Sequence, residues 1–198
     1  MIKNTKIWLL LLLFVTNTHA TLLHDAVKLQ DKELLTRLLS NCYFLITSKD
    51  ISGKTALHWA VELGNFELVF DLISACGNQP GGERERERLL KATIGLEDKG
   101  GRGTTALHIA ASNRNPNIIK LLLSFGADPE ALDEDGKTFF DCAYSALFPD
   151  KTIEAILEWS IENQQKIKVD KSILDQFMNG EYEQKFAAYG LYTEQSGR

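Results

Sequence analysis

The chain has 198 residues, of which 44% are hydrophobic and 25% charged, with a formal net charge of −5. These values suit one compact domain or a short stack of repeats, and they exclude wholesale disorder. An acidic chain is also a poor partner for nucleic acid, whose phosphates require a basic face.

The segment from Met1 to Ala20 stands apart from that average. Lys3 and Lys6 precede an unbroken apolar run from Ile7 to Val15, and a polar stretch then ends in Thr18-His19-Ala20. This order predicts an export signal cleaved after Ala20, leaving Thr21 as the mature N-terminus. The alternative is a membrane anchor, but nine residues rising about 1.5 Å each cover less than half of a ~30 Å hydrocarbon layer. Cleavage removes two lysines and no acids, so the charge moves from −5 to −7. No other stretch reaches membrane-spanning length, and a soluble mature chain is expected. There is no N-x-S/T site.

From Thr21 onward the sequence repeats itself. TLLHDAV begins at Thr21, TALHWAV at Thr55, TALHIAA at Thr105 and TFFDCAY at Thr138. The first and last of these intervals are each about 33 residues, and the middle one is longer by about half as much again. In each unit the Thr predicts a helix N-cap, and its side chain or that of the His three places on can satisfy free N–H groups there. Gly53, Gly103 and Gly136 lie two places before the Thr in the last three units, and Asp50 and Asp133 three places before Gly53 and Gly136. Asp-x-x-Gly is turn chemistry, with the Gly at φ > 0. Ala60, Ala110 and Ala143 are small enough to let helices approach.

A second helix with one apolar stripe follows in each unit. The stripe is Leu34, Leu35, Leu38 and Leu39 in the first, and Phe66, Leu68, Val69, Leu72 and Ile73 in the second. In the third it is Ile118, Ile119, Leu121, Leu122 and Leu123, closed by Gly126 at an αL stop. If Thr21 is the mature terminus, the first unit has no hairpin half and should fray. The fourth has Asp141 in place of His and ends irregularly around Phe148-Pro149.

Between the second and third units, Gly, Pro and Asn mark a loop, after which ERERERLLKA predicts a short helix from about Glu83 to Ala92. Its charges do not decide the matter, because Glu83–Arg86 and Glu85–Arg88 attract while Glu83–Glu87 and Arg84–Arg88 repel. Leu89, Leu90, Ile94 and Leu96 are expected to dock it. The segment is either a tolerated surface insertion or an added contact for a partner. Beyond residue 162, Ser172 caps a predicted helix bearing Ile173, Leu174 and Phe177. Gly180 breaks it, and Tyr182, Phe186 and Tyr189 suggest another. That tail is expected to cover the apolar end of the last unit, with a partner-binding extension as the alternative.

Residues 21–162 resemble the ankyrin-repeat family, whose period is about 33 residues. The resemblance implies an all-α fold, an α-solenoid of helix–turn–helix units joined by hairpin loops and closed by C-terminal capping helices. It divides the chain into an export signal (1–20), a truncated first repeat (21–49), a second repeat (50–77), the insertion (78–99), a third repeat (100–132), a degenerate fourth (133–162) and the extension (163–198). The usual Pro after Thr is replaced by Leu22, Ala56, Ala106 and Phe139.

The resemblance further implies a protein partner, bound by hairpin tips and by exposed positions of the first helices. Transferred unit by unit, these are Ile51, Ser52, Lys54, Glu62 and Leu63, then Gly101, Arg102, Thr104, Ser112 and Asn113, and finally Glu134, Asp135 and Lys137. Thr21, His24, Thr55, His58, Thr105, His108 and Thr138 carry the structural motif, with the His bonding between turns. Equivalent histidines about 8–10 Å apart cannot share a zinc that needs ligands at about 2 Å. No H-E-x-x-H, C-x-x-C, G-x-S-x-G or Walker loop occurs, and no catalysis, cofactor or metal is expected. GGRGTT at 100–105 lacks the lysine of a phosphate loop. Cys42 and Cys76 fall at equivalent places of adjacent units, too distant to bridge, and with Cys142 they are read as three free thiols.

Overall fold

The computed structural model describes residues 21–42, 45–77, 82–92, 103–145 and 151–163. They divide between two compact units, residues 1–98 and 99–198. In the first, α1 covers residues 21–28, followed by α2 (Lys32–Cys42), α3 (Ala56–Glu62), α4 (Phe66–Gly77) and α5 (Gly82–Lys91). The second holds α6 (Ala106–Ser112), α7 (Pro116–Ser124), α8 (Phe139–Ser145) and α9 (Lys151–Asn163). The all-α repeat architecture expected from the sequence is the one present, short helices paired as first and second members of each repeat.

The T-x-L-H motifs of the second and third repeats start their helices by the same chemistry. Thr55 sits in extended backbone as the N-cap of α3; its N–H donates to His58 Nδ1 at 3.1 Å, and its hydroxyl lies 2.8 Å from the same nitrogen. Thr105 repeats this with His108 at 3.3 and 2.8 Å. In the fourth repeat Asp141 takes over, its carboxylate accepting from both Thr138 N–H and Thr138 Oγ1 at 2.8 Å. A carboxylate thus replaces an imidazole without loss of the cap.

Second helices are capped by a residue not singled out above. Asp31, Asn65 and Asn115 each accept an N–H bond from three residues on, at 2.9, 3.2 and 3.2 Å. The residue before each cap is left-handed: Gln30 at φ 55°, Gly64 at 67° and Arg114 at 54°. Only the middle repeat uses the residue type that takes this conformation without strain.

The core follows the predicted stripes with small departures. Leu35, Leu39, Leu68, Val69, Leu72, Ile73, Ile118, Ile119, Leu122 and Leu123 are buried, as are Ala60, Ala110 and Ala143. Leu34, Leu38 and Leu121 are half-buried, at the stripe edges. Phe66 is a correction, for it is 45% exposed. It opens α4 about a quarter turn from the centre of the Leu68–Val69–Leu72–Ile73 stripe. In the first unit α3 and α5 both pack on α4, and α2 also meets α4. Leu23, Ala26 and Val27 of α1 are buried.

In the second unit α6 packs on α7 and α8, and α9 on α7 and α8. Phe139 and Phe140 are buried edge-to-face, 6.4 Å between centroids, where the second and third repeats carry Ala-Leu and the first Leu-Leu. The fourth repeat keeps a full second helix, α9, which buries Ile153, Ile156, Leu157 and Trp159. Phe148-Pro149, Ile94, Leu96 and the tail from residue 164 lie outside the described residues, as does the predicted signal at 1–20. Helix α5 occupies Gly82–Lys91, against an expected 83–92, and Leu89 and Leu90 are its buried anchors.

Candidate protein-binding face

The hairpin before α3 is built around one carboxylate. Asp50 Oδ1 accepts from the backbone of Ser52 at 2.8 Å and of Lys54 at 3.1 Å. Its Oδ2 accepts from Trp59 Nε1 at 2.8 Å and from Lys28 Nζ at 3.2 Å. Backbone bonds from Asp50 to Lys54 and from Gly53 to Asp50 close the turn, with Gly53 at φ 73°. Burial pushes the Asp50 carboxyl up, but the indole, the two backbone amides and the lysine outweigh it, holding the group down at about 2 against a usual 3.8. Asp133 closes the fourth hairpin likewise, accepting from Asp135 at 2.9 Å and Lys137 at 2.8 Å, with Gly136 at φ 77°. At the position of Trp59 the fourth repeat has Cys142, whose Sγ lies 3.8 Å from Asp133 Oδ2.

These loops fasten one repeat to the next through histidine. His24 Nε2 meets Lys54 O at 3.1 Å, and His108 Nε2 meets Lys137 O at 3.1 Å. A carbonyl only accepts, so Nε2 donates; in His108, Nδ1 then accepts from Thr105 N–H, which fixes a neutral Nε2–H tautomer. Burial lowers the His108 pKa below 6.5, against the bond to Lys137 and the nearby Asp133. Both ring nitrogens of His108 are engaged by the fold.

The loops also display side chains. Ile51 is 96% exposed at the tip, Ser52 is exposed beside it, and Glu62 and Leu63 are exposed at the end of α3. Lys54 departs from the expected solvent-facing position. Its ammonium pairs with Glu62 at 2.6 Å and lies 4.3 Å from the centroid of the Trp59 ring. Lys28 of α1 lies 4.2 Å from the same centroid. In the second unit Ser112, Asn113, Glu134, Asp135 and Lys137 are exposed and Thr104 is half-buried. Gly101 and Arg102 lie outside the described residues. Sequence reading missed Trp59, Lys28 and Leu29. The signal was the repeat offset itself, since Lys28 and Leu29 stand one repeat before Glu62 and Leu63.

Ankyrin repeats (3 copies) match residues 2–83, and ankyrin repeats (many copies) match residues 89–143. The chain belongs to the ankyrin-repeat family. The first of these ranges takes in most of the segment predicted as an export signal. Among its relatives, the Drosophila melanogaster E3 ubiquitin-protein ligase Ufd4 is 32% identical over 130 residues, 66% of this chain and 4% of that protein. Human protein phosphatase 1 regulatory subunit 27 is 30% identical over 112 residues, 57% of this chain and 62% of the relative. Human B-cell lymphoma 3 protein is 33% identical over 94 residues, 48% of this chain and 18% of the relative. The chain therefore spans less than two thirds of the length of each of these relatives.

Cys76 and Cys142 are thiols outside any disulfide, both pushed up to about 11 by burial, with Glu85 acting further on Cys76 and Asp133 on Cys142. The Cys42 side chain lies outside the described residues. Among the described residues no three His, Cys, Asp or Glu side chains are grouped to hold a metal ion, and no helix is long and apolar enough to cross a membrane.

Proposed function

We propose that this chain is an exported, non-catalytic ankyrin-repeat protein that holds another protein on its hairpin tips and first helices. The observation that carries this reading is Ile51. It is 96% exposed on a turn whose backbone is closed by Asp50 and Gly53, so a rigid loop presents an apolar side chain to water. Exposed apolar groups on preorganised loops are what association uses, because little ordering entropy remains to be lost. A non-catalytic role is supported by His108 and Asp50, which are spent on capping and turn closure. Export rests on residues 1–20 alone, with Lys3 and Lys6 ahead of a short apolar run.

Two measurements test the reading. N-terminal sequencing of the exported fraction should start at Thr21; an intact Met1 in a membrane fraction would refute cleavage and make residues 1–20 a tether. Pull-down with the mature chain, followed by mass spectrometry, should recover a protein partner that the Leu72→Ala variant captures less well. A partner retained equally by wild type and by chain unfolded in urea would refute a folded binding module.

A further inference from the structure

We infer that Trp59 and Lys28 are positioning residues for the 50–54 hairpin. They hold Asp50, and through it the Ile51–Ser52 tip, in the form that a partner meets, so the first repeat governs capture without touching the partner. This rests on the protein-binding reading above and adds to it which residues set the tip.

The whole tip hangs on one residue. The N–H groups of Ser52 and Lys54 donate to Asp50 Oδ1 at 2.8 and 3.1 Å, and that of Gly53 donates to Asp50 O at 2.9 Å. The Ile51 side chain is almost fully exposed, so these bonds and not packing place it. Asp50 is in turn fixed from outside the turn. Its Oδ2 accepts from Trp59 Nε1 of α3 at 2.8 Å and from Lys28 Nζ of α1 at 3.2 Å. The same ammonium lies 4.2 Å from the indole centroid, so the two groups that hold the carboxylate also attract each other. At the other end of the turn, Lys54 O accepts from Asp50 N–H at 2.8 Å and from His24 Nε2 at 3.1 Å. Helix α1, one repeat earlier, therefore grips the turn at both ends.

The fourth hairpin gives an internal comparison. Its inner bonds are the same, from Asp135, Gly136 and Lys137 to Asp133, and His108 meets Lys137 O. Ser112 and Cys142, however, stand at the places of Lys28 and Trp59. A thiol 3.8 Å from the Asp133 carboxylate is a weak donor beside an indole N–H at 2.8 Å. The outer grip thus sets the second repeat's hairpin apart from the fourth's, and its tip carries Ile51 where the fourth carries Glu134. A tip held this way has little freedom to lose on association, so loosening it costs affinity although no contact with the partner is removed. By linkage, a partner on the tip strengthens the α1 grip as much as the grip favours the partner.

The probe is a single-domain antibody taken from a synthetic library on the purified full chain and counter-selected against Ile51→Ser, so that it reads the tip. Trp59→Phe keeps a ring for the lysines and removes the N–H. It should speed amide hydrogen exchange at Ser52, Gly53 and Lys54 by about tenfold or more. Probe affinity should fall with it by about threefold or more. Lys28→Ala should speed the same amides by about threefold, as befits a half-exposed pair, and Lys28→Arg should restore them. Lys32→Ala, which removes a second lysine pair across the same repeat boundary at Glu67, should change neither exchange nor affinity. In an Asp50→Asn background, Trp59→Phe and Lys28→Ala should add no further loss, because both act through that carboxylate. Unchanged exchange at the three amides, unchanged affinity despite faster exchange, an equal loss with Lys32→Ala, or losses that add to Asp50→Asn each overturn the inference. So does a library that yields no tip-directed binder. Every one of these results leaves the protein-binding reading standing, since that reading fails only in the pull-down.

Discussion

Replacing Asp50 by Asn tests the turn on which the first face is mounted. The amide oxygen can still accept from Ser52 and Lys54, but the amide nitrogen is a donor and now confronts the Trp59 N–H and the Lys28 ammonium. The charge-assisted bond from the indole contributes about 1.5–3 kcal/mol and the half-exposed lysine pair at most about 1. The pKa gives an independent figure. A carboxyl held at about 2 instead of 3.8 corresponds to about 2.4 kcal/mol of folding free energy, or roughly 1–2 after allowance for solvent screening. A loss of about 2 kcal/mol at pH 7 is therefore expected in urea unfolding followed by circular dichroism.

The sign of the pH dependence is fixed. Because the folded carboxyl is the stronger acid, the unfolded chain takes up the proton first as pH falls, and the contribution present above 3.8 disappears toward about 2. The gap between wild type and variant should close over that range. Asp133→Asn is the control: its turn bonds to Asp135 and Lys137 use one oxygen that Asn retains, so it should cost under about 1 kcal/mol. An Asp50→Asn loss below about 0.5 kcal/mol, or a gap that persists unchanged at pH 2, would refute the reasoning.

Leu72→Ala, at a fully buried position, should cost roughly 2–5 kcal/mol by thermal or urea unfolding, whereas Glu62→Ala should cost no more than about 0.5 to 1. His108 is the weaker base when folded, so its contribution is complete above pH 6.5 and lost as pH falls below it; His108→Gln should flatten that part of the stability profile. Gln30→Gly relieves a φ of 55° but removes the bond that Asn65 Nδ2 donates to Gln30 Oε1 at 3.0 Å, so urea unfolding should show a net change within about 0.5 kcal/mol. Thiol titration should find all three cysteines in denaturant, with Cys76 and Cys142 slow to react in the native chain at pH 7 since both thiols lie near 11.

What was legible in the sequence was local. The T-x-L-H cap depends on an i,i+3 spacing, and Asp-x-x-Gly on a single turn, so both could be located to the residue. What was not legible required two segments to meet. Lys54 was expected to face solvent, and it lies over Trp59 because Glu62, eight residues on, holds it there. Lys28 reaches the same ring from the preceding repeat, a relation visible only as an offset of one repeat. Phe66 looked like core because Phe is apolar, yet its place at the stripe edge leaves it open.

The insertion shows the same division within one helix. Its charges promised no decision, and the ion pairs described along it are Glu85–Arg88 at 2.7 Å and Glu87–Lys91 at 2.8 Å. Pairs so exposed are screened by water and weak. Leu89 and Leu90 are buried at 0% and 5% exposure, and burying two leucines contributes far more, about 1.5–3 kcal/mol apiece. The helix is therefore held by its last turn against α4, while its Glu83–Arg84 start faces solvent. A segment anchored this way adds to the core of the first unit, and Leu89→Ala with Leu90→Ala should lower its urea midpoint where Arg84→Ala does not.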